Sequence, residues 1–209
     1  MSENLVSDII AKLGPYCEDK IGLDIGANHG SYTTMIAEKC KQAYAFEPNL
    51  VNFKVLMFNV HAKNVIFVNG MVLDKTGPGR LYLCKSNPGG HTAAYKVAED
   101  PRYDHLLDRF EEVHSVSLDT YFGDATNIGF MKIDVEGAEE FVLRGADKIL
   151  SNNKLIIALE THQTIDREGI YRYMADKGYV FLDENFVPVS SIQFDYHYII
   201  HNHGDNFVY

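Results

Sequence analysis

The sequence predicts an α/β protein, a mostly parallel sheet built from strand-helix units with helices on both faces. Three observations carry this. Short apolar runs alternate with helical patterns from Ile21 to Ile157, a glycine-bearing turn "GANHG" joins the first such run to a helix, and acidic residues stand just beyond several of the runs.

Taken in order, Leu5, Ile9 and Leu13 share one helical face, and "KIGLDIG" then reads as a buried first strand. "SYTTMIAEK" predicts a helix and "QAYAFE" a strand. "NFKVLMFNVH" predicts a helix whose Phe53, Leu56 or Met57, and Val60 face the sheet, and "NVIFVNGMV" supplies a third strand. The rhythm breaks between Asp74 and Glu112. There "DKTGPGRLYLCK" reads as a turn and a strand, followed by a polar stretch rich in Gly and Pro with no sustained period. Excursions of this length in a compact domain are usually surface segments or parts of a ligand-binding lid. "VHSVSLDTYF", the strand "IGFMKID", the helix "AEEFVLRGADKIL" and the strand "KLIIALE" resume the alternation. A helix around Ile170 to Lys177 precedes "YVFLD" and "HYIIHN", two closing strands that would form a hairpin at the sheet edge. No repeat or low-complexity linker interrupts the chain, so residues 1–209 read as a single domain with a substrate-side insertion around 74–112.

An apolar content of 46% over 209 residues suffices for one continuous core. The formal charge of -10 disfavours attraction to phosphate backbones, so no nucleic-acid partner is expected, while a local pocket for a small anionic molecule stays open. Cys17, Cys40 and Cys84 form no C-x-x-C pair, which argues against a disulfide scaffold and against a structural zinc site. The reading is a reducing, cytoplasmic setting. "MSENLVSDII" has no basic leader segment, and no apolar run approaches the length of a transmembrane segment. Composition leaves a homodimer open.

The junction "IGLDIGANHGSYTTMIA" ends a strand near Ile25 and carries Gly26, Asn28 and Gly30 before a helix. Glycines there permit a tight turn and close approach of a ligand to the backbone, while the first helical amides can bond a polar group. Asn28 stands where a G-x-G-x-x-G motif would place its second glycine, which weakens a dinucleotide reading. Asp24 adds a carboxylate that suits a ligand bearing an ammonium group. About twenty residues on, "YAFEPN" puts Glu47 at the end of the second strand, where a carboxylate accepts both hydroxyls of a ribose. Asn69 and Gly70, after the third strand, would border an adenine.

In "MKIDVEGAEE", Asp134 lies at a strand end and Glu136 in the turn beyond, whereas Glu139 and Glu140 fall in a first helical turn, where the helix dipole alone accounts for negative charge. The next strand ends "ALETH". Asp134, Glu160 and His162 would converge as oxygen and imidazole donors for one divalent ion, magnesium or manganese, that orients a substrate hydroxyl and lowers its pKa. Without a metal, His162 is the candidate general base. Lys132 either pairs with one of these acids or flanks the strand. His91, Thr92 and Tyr95 are candidate substrate contacts, with Arg80, Lys96 and Arg102 available to an acidic substrate. His197, His201 and His203 alternate along the last strand without an apparent acidic partner.

The blocks "LDIGANHGSYT", "AFEPN", "GFMKIDVEGAEEFVLRGA" and "LIIALETH", in that order, resemble the FkbM family of S-adenosylmethionine-dependent methyltransferases from about Ile21 onward. The resemblance implies the class I methyltransferase Rossmann-like fold, seven strands with a reversed C-terminal one. It implies S-adenosyl-L-methionine as cofactor and methyl transfer to oxygen, typically a hydroxyl or carboxyl of a glycan, nucleotide-sugar, glycolipid or polyketide-like natural product. It makes Asp24, Gly26, Ala27, Asn28 and Gly30 the loop around the methionine portion and Glu47 the ribose ligand, with Asn69 beside them. Asp134 and Glu136 become active-site carboxylates, and Glu160 and His162 match the pattern after the following strand. Alternatives are a nitrogen or carboxylate acceptor, a nicotinamide-dependent oxidoreductase, and a non-enzymatic carbohydrate-binding protein.

Overall fold

The computed structural model describes residues 2–84, 107–162, 166–193 and 196–204. Two short helices lead in, α1 (Ser2–Ala11) and α2 (Gly14–Cys17). The first half of the sheet follows as β1 (Ile21–Ile25), α3 (Ser31–Lys39), β2 (Gln42–Phe46), α4 (Leu50–Asn59), β3 (Val65–Val68) and β4 (Met71–Val72). Then come β5 (Gly77–Cys84), β6 (Leu107–Val116), α5 (Leu118–Phe122), β7 (Ile128–Ile133), α6 (Glu139–Arg144) and α7 (Asp147–Asn152). The chain closes with β8 (Ile156–Thr161), α8 (Arg167–Asp176), β9 (Val180–Leu182) and β10 (Tyr196–His201).

Seven strands form the main sheet in the order β3-β2-β1-β7-β8-β10-β9. The first five are parallel, and β10 runs antiparallel to both its neighbours. This is the architecture expected from the sequence, with the reversed strand near one edge. The central strand β7 is buried along its whole length, as a strand covered by helices on both faces must be. One apolar cluster joins β7, β8 and the α6, α7 and α8 side. A second packs α1 and α3 on the opposite face, with Leu5, Ile9 and Leu13 all buried as their spacing predicts. Leu56 and Val60 face the sheet and Met57 is exposed, which resolves the alternative at that turn of α4. The sheet order changes direction at β1, whose neighbours are β2 and β7. That reversal opens a crevice beyond the carboxyl ends of the parallel strands.

Several local expectations are corrected. "NVIFVNGMV" is two strands: the chain leaves the main sheet after Val68, and β4 joins β5 and β6 in a separate three-stranded sheet. The polar run before Val113 is extended from Leu107, because β6 pairs antiparallel with β5 over its length. "AEEFVLRGADKIL" is two helices broken at Gly145, where an added Cβ would overlap the carbonyl of Leu73. Cys17 and Cys40 are joined by a disulfide, with Cα atoms 4.8 Å apart. Both cysteines lie beside β1, at Gly22, where absence of a side chain lets Cys40 approach the strand. Spacing in sequence conceals this, since the pair is brought together only by the fold. Residues 85–106 of the predicted insertion, with His91, Thr92, Tyr95, Lys96 and Arg102, lie outside the described residues. Among the described residues no helix is long and apolar enough to cross a membrane.

Candidate active site

The crevice is lined on one side by Gly26, Asn28 and Glu47 and on the other by Asp134 and Glu136, with Gly70, Met71, Val72 and Leu81 closing the apolar end. Its floor is the meeting of two strand ends. Ile25 and Ile133 are paired in parallel register, and Asp134 N–H continues the ladder to Ile25 O at 3.1 Å. Gly26, at φ 78°, follows at once, and a Cβ on it would overlap the Asp134 carbonyl oxygen. Only glycine allows the two backbones this proximity in that conformation.

Glu47 emerges from β2 almost wholly buried, 4% exposed. The Asn28 N–H donates to its Oε2 at 2.9 Å and the Asn49 N–H to its Oε1 at 2.8 Å, so two backbone amides fix the carboxylate at the crevice wall. Burial pushes its pKa up to about 7, against the opposing pull of those amides and of Lys132. Each oxygen keeps a second lone pair for a ligand hydroxyl. Asn69 donates from Nδ2 to the carbonyls of Glu47 at 2.9 Å and Pro48 at 3.1 Å, so its side chain braces the chain behind Glu47, while Gly70 lines the crevice.

The remaining loop residues occupy different roles. Ala27 is buried, its N–H bonded to Phe46 O at 3.0 Å. Gly30, at φ 91°, lies against Leu56 and Val60, which a side chain would displace. Asp24, expected at the ligand's doorstep, is instead fully buried beneath the loop. It accepts the Thr33 hydroxyl at 2.5 Å and stands 3.5 Å from Lys132 Nζ. Lys132 in turn donates to Gly26 O at 2.7 Å and lies 3.4 Å from Asp134 Oδ2. Burial opposes its charge, but Asp134 and then Asp24 outweigh that and hold its pKa above the usual lysine value. Lys132 therefore links the loop to the β7 end, which decides between the two roles its sequence position allowed.

Beyond Asp134, Glu136 adopts φ 55°, a left-handed conformation unusual for a residue with a side chain and characteristic of functional sites. Its Oε2 is 3.4 Å from His162 Nε2. Thr161 turns into the protein, its hydroxyl donating to Gln193 O at 2.7 Å, so Glu160 and His162 emerge together on the other side, 3.7 Å apart. His162 Nδ1 lies 2.6 Å from Oε1 of Glu139. Burial alone would lower the His162 pKa. The Glu139 bond and the charges of Glu139, Glu136 and Glu160 raise it to about 9. Burial raises Glu136 to about 7, His162 opposing and Asp134, Glu160 and Glu139 adding.

Two participants escaped the sequence reading. Glu139, assigned with Glu140 to the helix start, is completely buried against His162, and only Glu140 is a surface helix residue, 3.5 Å from Arg144. His197 does have an acidic partner: it sits opposite Glu160 in the β10·β8 register, its Nε2 3.1 Å from Glu160 Oε2. Only the antiparallel register reveals that pair. Asp134, Glu160 and His162 each offer a ligand atom within 4.8 Å of the others. Two carboxylate oxygens and one imidazole nitrogen suit a divalent cation of the manganese or magnesium kind, and Glu139 at Nδ1 leaves Nε2 as the donor. The residues therefore fit a metal ion.

The strand order, the reversed β10 and the crevice at β1 define the class I fold of S-adenosylmethionine-dependent methyltransferases. Solved structures agree at the level of fold. A putative methyltransferase from Streptococcus mutans in complex with SAH superposes with a TM-score of 0.54 at 10% identity, covering 96% of this chain and 97% of that one. An rRNA methylase from Streptococcus thermophilus gives 0.52 at 12%, covering 96% and 95%. The methyltransferase FkbM domain model matches residues 24–181, and the chain belongs to that family. "Methyltransferase 1" of Beauveria bassiana (strain ARSEF 2860) is 30% identical over 156 residues, 65% of this chain. The match spans 61% of that relative's length. One implication of the resemblance is corrected. The similar solved structures are general Rossmann-fold methyltransferases rather than FkbM-type ones, so the architecture defines the class without narrowing it.

Proposed function

We propose that this chain transfers the methyl group of S-adenosylmethionine to an oxygen nucleophile, a sugar hydroxyl on a glycan, nucleotide-sugar or related natural product. The observation that carries this is the placement of Glu47 and of Asp134 with Glu136 on opposite walls of one crevice at the reversal of strand order. Glu47 is fixed to receive the ribose hydroxyls, and the apolar pocket of Met71, Val72 and Leu81 suits the adenine. The methionine end then extends over Gly26 toward Asp134. The bound cofactor supplies an already activated methyl electrophile, so the protein's contribution is alignment and proton removal.

In this reading Glu136 receives the acceptor's proton. Its side chain reaches the crevice, and its pKa of about 7 matches a base working near neutrality. His162, holding a proton at neutral pH, stands beside it as the compensating charge, which favours Glu136 over His162 as base. Asp134, held by Lys132, orients the attacking hydroxyl. The spacing of Asp134, Glu160 and His162 favours a second form of the same reading, in which these three hold a divalent ion that binds the acceptor oxygen and lowers its pKa.

A methyl-transfer screen against sugars, nucleotide-sugars, amines and carboxylates, with product mass analysis, tests this. Methylation of a hydroxyl is expected. Exclusive methylation of an amine or carboxylate would contradict the acceptor assignment. Loss of turnover with chelator and recovery with manganese or magnesium would establish the metal-assisted form, and full turnover in metal-stripped protein would eliminate it.

A further inference from the structure

We propose that Glu139 is the positioning residue of the site: it binds His162 at Nδ1 and so aims Nε2 at Glu136, Glu160 and the crevice. This rests on the proposed function for its consequence in turnover, but the geometry that carries it is independent of the acceptor.

Glu139 is 0% exposed, while His162 is only partly buried. Its Oε1 lies 2.6 Å from His162 Nδ1 and accepts the Gly137 N–H at 3.0 Å. One carboxylate oxygen therefore secures both the turn that carries Glu136, in its left-handed conformation, and the ring that faces Glu136. Its other oxygen, Oε2, is buried without a hydrogen-bond partner among the described residues. A carboxylate placed only to begin α6 would be solvated, as Glu140 is, because helix-dipole stabilisation works at the surface and burying a carboxylate is costly. Held at Nδ1, the ring can rotate neither nitrogen away from the crevice. Nε2 is then directed correctly whether it bears a proton toward Glu136 or, with a divalent ion present, donates its lone pair. Carboxylate-histidine pairs of this kind fix ring orientation at metal and acid-base centres, and loss of the carboxylate typically costs 10- to 100-fold.

The test compares wild type with Glu139→Gln and Glu139→Leu, and with His162→Asn to assign the ring signals. Imidazole 15N–1H correlation spectra, recorded without acceptor, are expected to show a downfield, slowly exchanging Nδ1 proton in wild type. That proton should persist but move upfield in Glu139→Gln, whose amide oxygen still accepts, and disappear in Glu139→Leu. In turnover, Glu139→Gln should rescue kcat to within about tenfold of wild type, and Glu139→Leu should lose about 100-fold in kcat with KM for S-adenosylmethionine unchanged. An Nδ1 proton indifferent to residue 139 would overturn the proposal, as would equal turnover in the three proteins. If Glu139→Leu does not fold, the Glu139→Gln spectrum decides alone, an unshifted proton overturning the assignment. Because the ring signal requires no acceptor, absence of methyl transfer would count against the proposed function and leave the placement of Glu139 to be decided by the spectra.

Discussion

Glu47 carries two opposed demands. The proposed function needs a carboxylate at Glu47 to receive a ribose, yet burial raises its pKa from 4.5 to about 7. Between those values the folded chain binds more protons at Glu47 than the unfolded chain does. Ionisation of Glu47 therefore costs stability that begins above about pH 4.5 and is complete above about pH 7, on the order of 3 kcal/mol. Glu47→Gln should remove that component, so the decline in urea-unfolding free energy from about pH 4.5 to 8 should be shallower in the variant. Identical pH profiles would refute the assigned burial cost. The position of Glu47 at the crevice wall was legible in the sequence because a strand end about twenty residues after a glycine turn is a local signal. Glu139 was not, since adjacent acids in a first helical turn look alike until the fold buries one and exposes the other. Asp24 shows the same limit: its strand position was correct, but alternation along β1 directs its side chain to Thr33 and Lys132 beneath the loop.

Elements place these residues by bringing the ends of β1 and β7 together. Gly26 is the contact point, and its lack of a side chain sets the width of the crevice floor. Gly26→Ala should force the Asp134 carbonyl away and strain a positive φ, lowering unfolding free energy by about 2 to 4 kcal/mol and weakening S-adenosylmethionine binding by tenfold or more. Denaturant titration and calorimetry measure both, and wild-type values for the pair would contradict the account of the floor. The main-sheet strands were readable because each is a short apolar run in a regular alternation. The departures have nonlocal causes. β4 is diverted by pairing with β6, the helix after β7 is broken where Gly145 meets Leu73, and β6 extends through polar residues because its partner β5 supplies the hydrogen bonds. None of these leaves a periodic trace.

At the scale of the whole molecule, the strand order turns residues spread from Gly26 to His197 into one site. β8 lies next to β7 and β10 next to β8, and together they bring Glu160, His162 and His197 beside Asp134 and Glu136 at the crevice that β1 and β2 open. The order of the parallel strands could be anticipated from resemblance, and with it the meeting of Asp134, Glu160 and His162. The cross-strand register that pairs His197 with Glu160, and the juxtaposition of Cys17 with Cys40 beside β1, depend on three-dimensional neighbours that spacing does not encode. In the proposed function the division of labour is spatial as well: Glu47 and the glycine loop would bind the donor, while the β7 and β8 ends would act on the acceptor. That separation predicts that binding and turnover can be uncoupled. The most direct measurement is calorimetric titration of S-adenosylmethionine into wild type and Asp134→Asn, paired with turnover of each at saturating cofactor on the acceptor found by the screen. The account predicts affinity retained within about tenfold and kcat reduced by at least about 100-fold. Unchanged kcat with lost cofactor affinity would contradict it and move Asp134 from the chemistry to the binding of the donor.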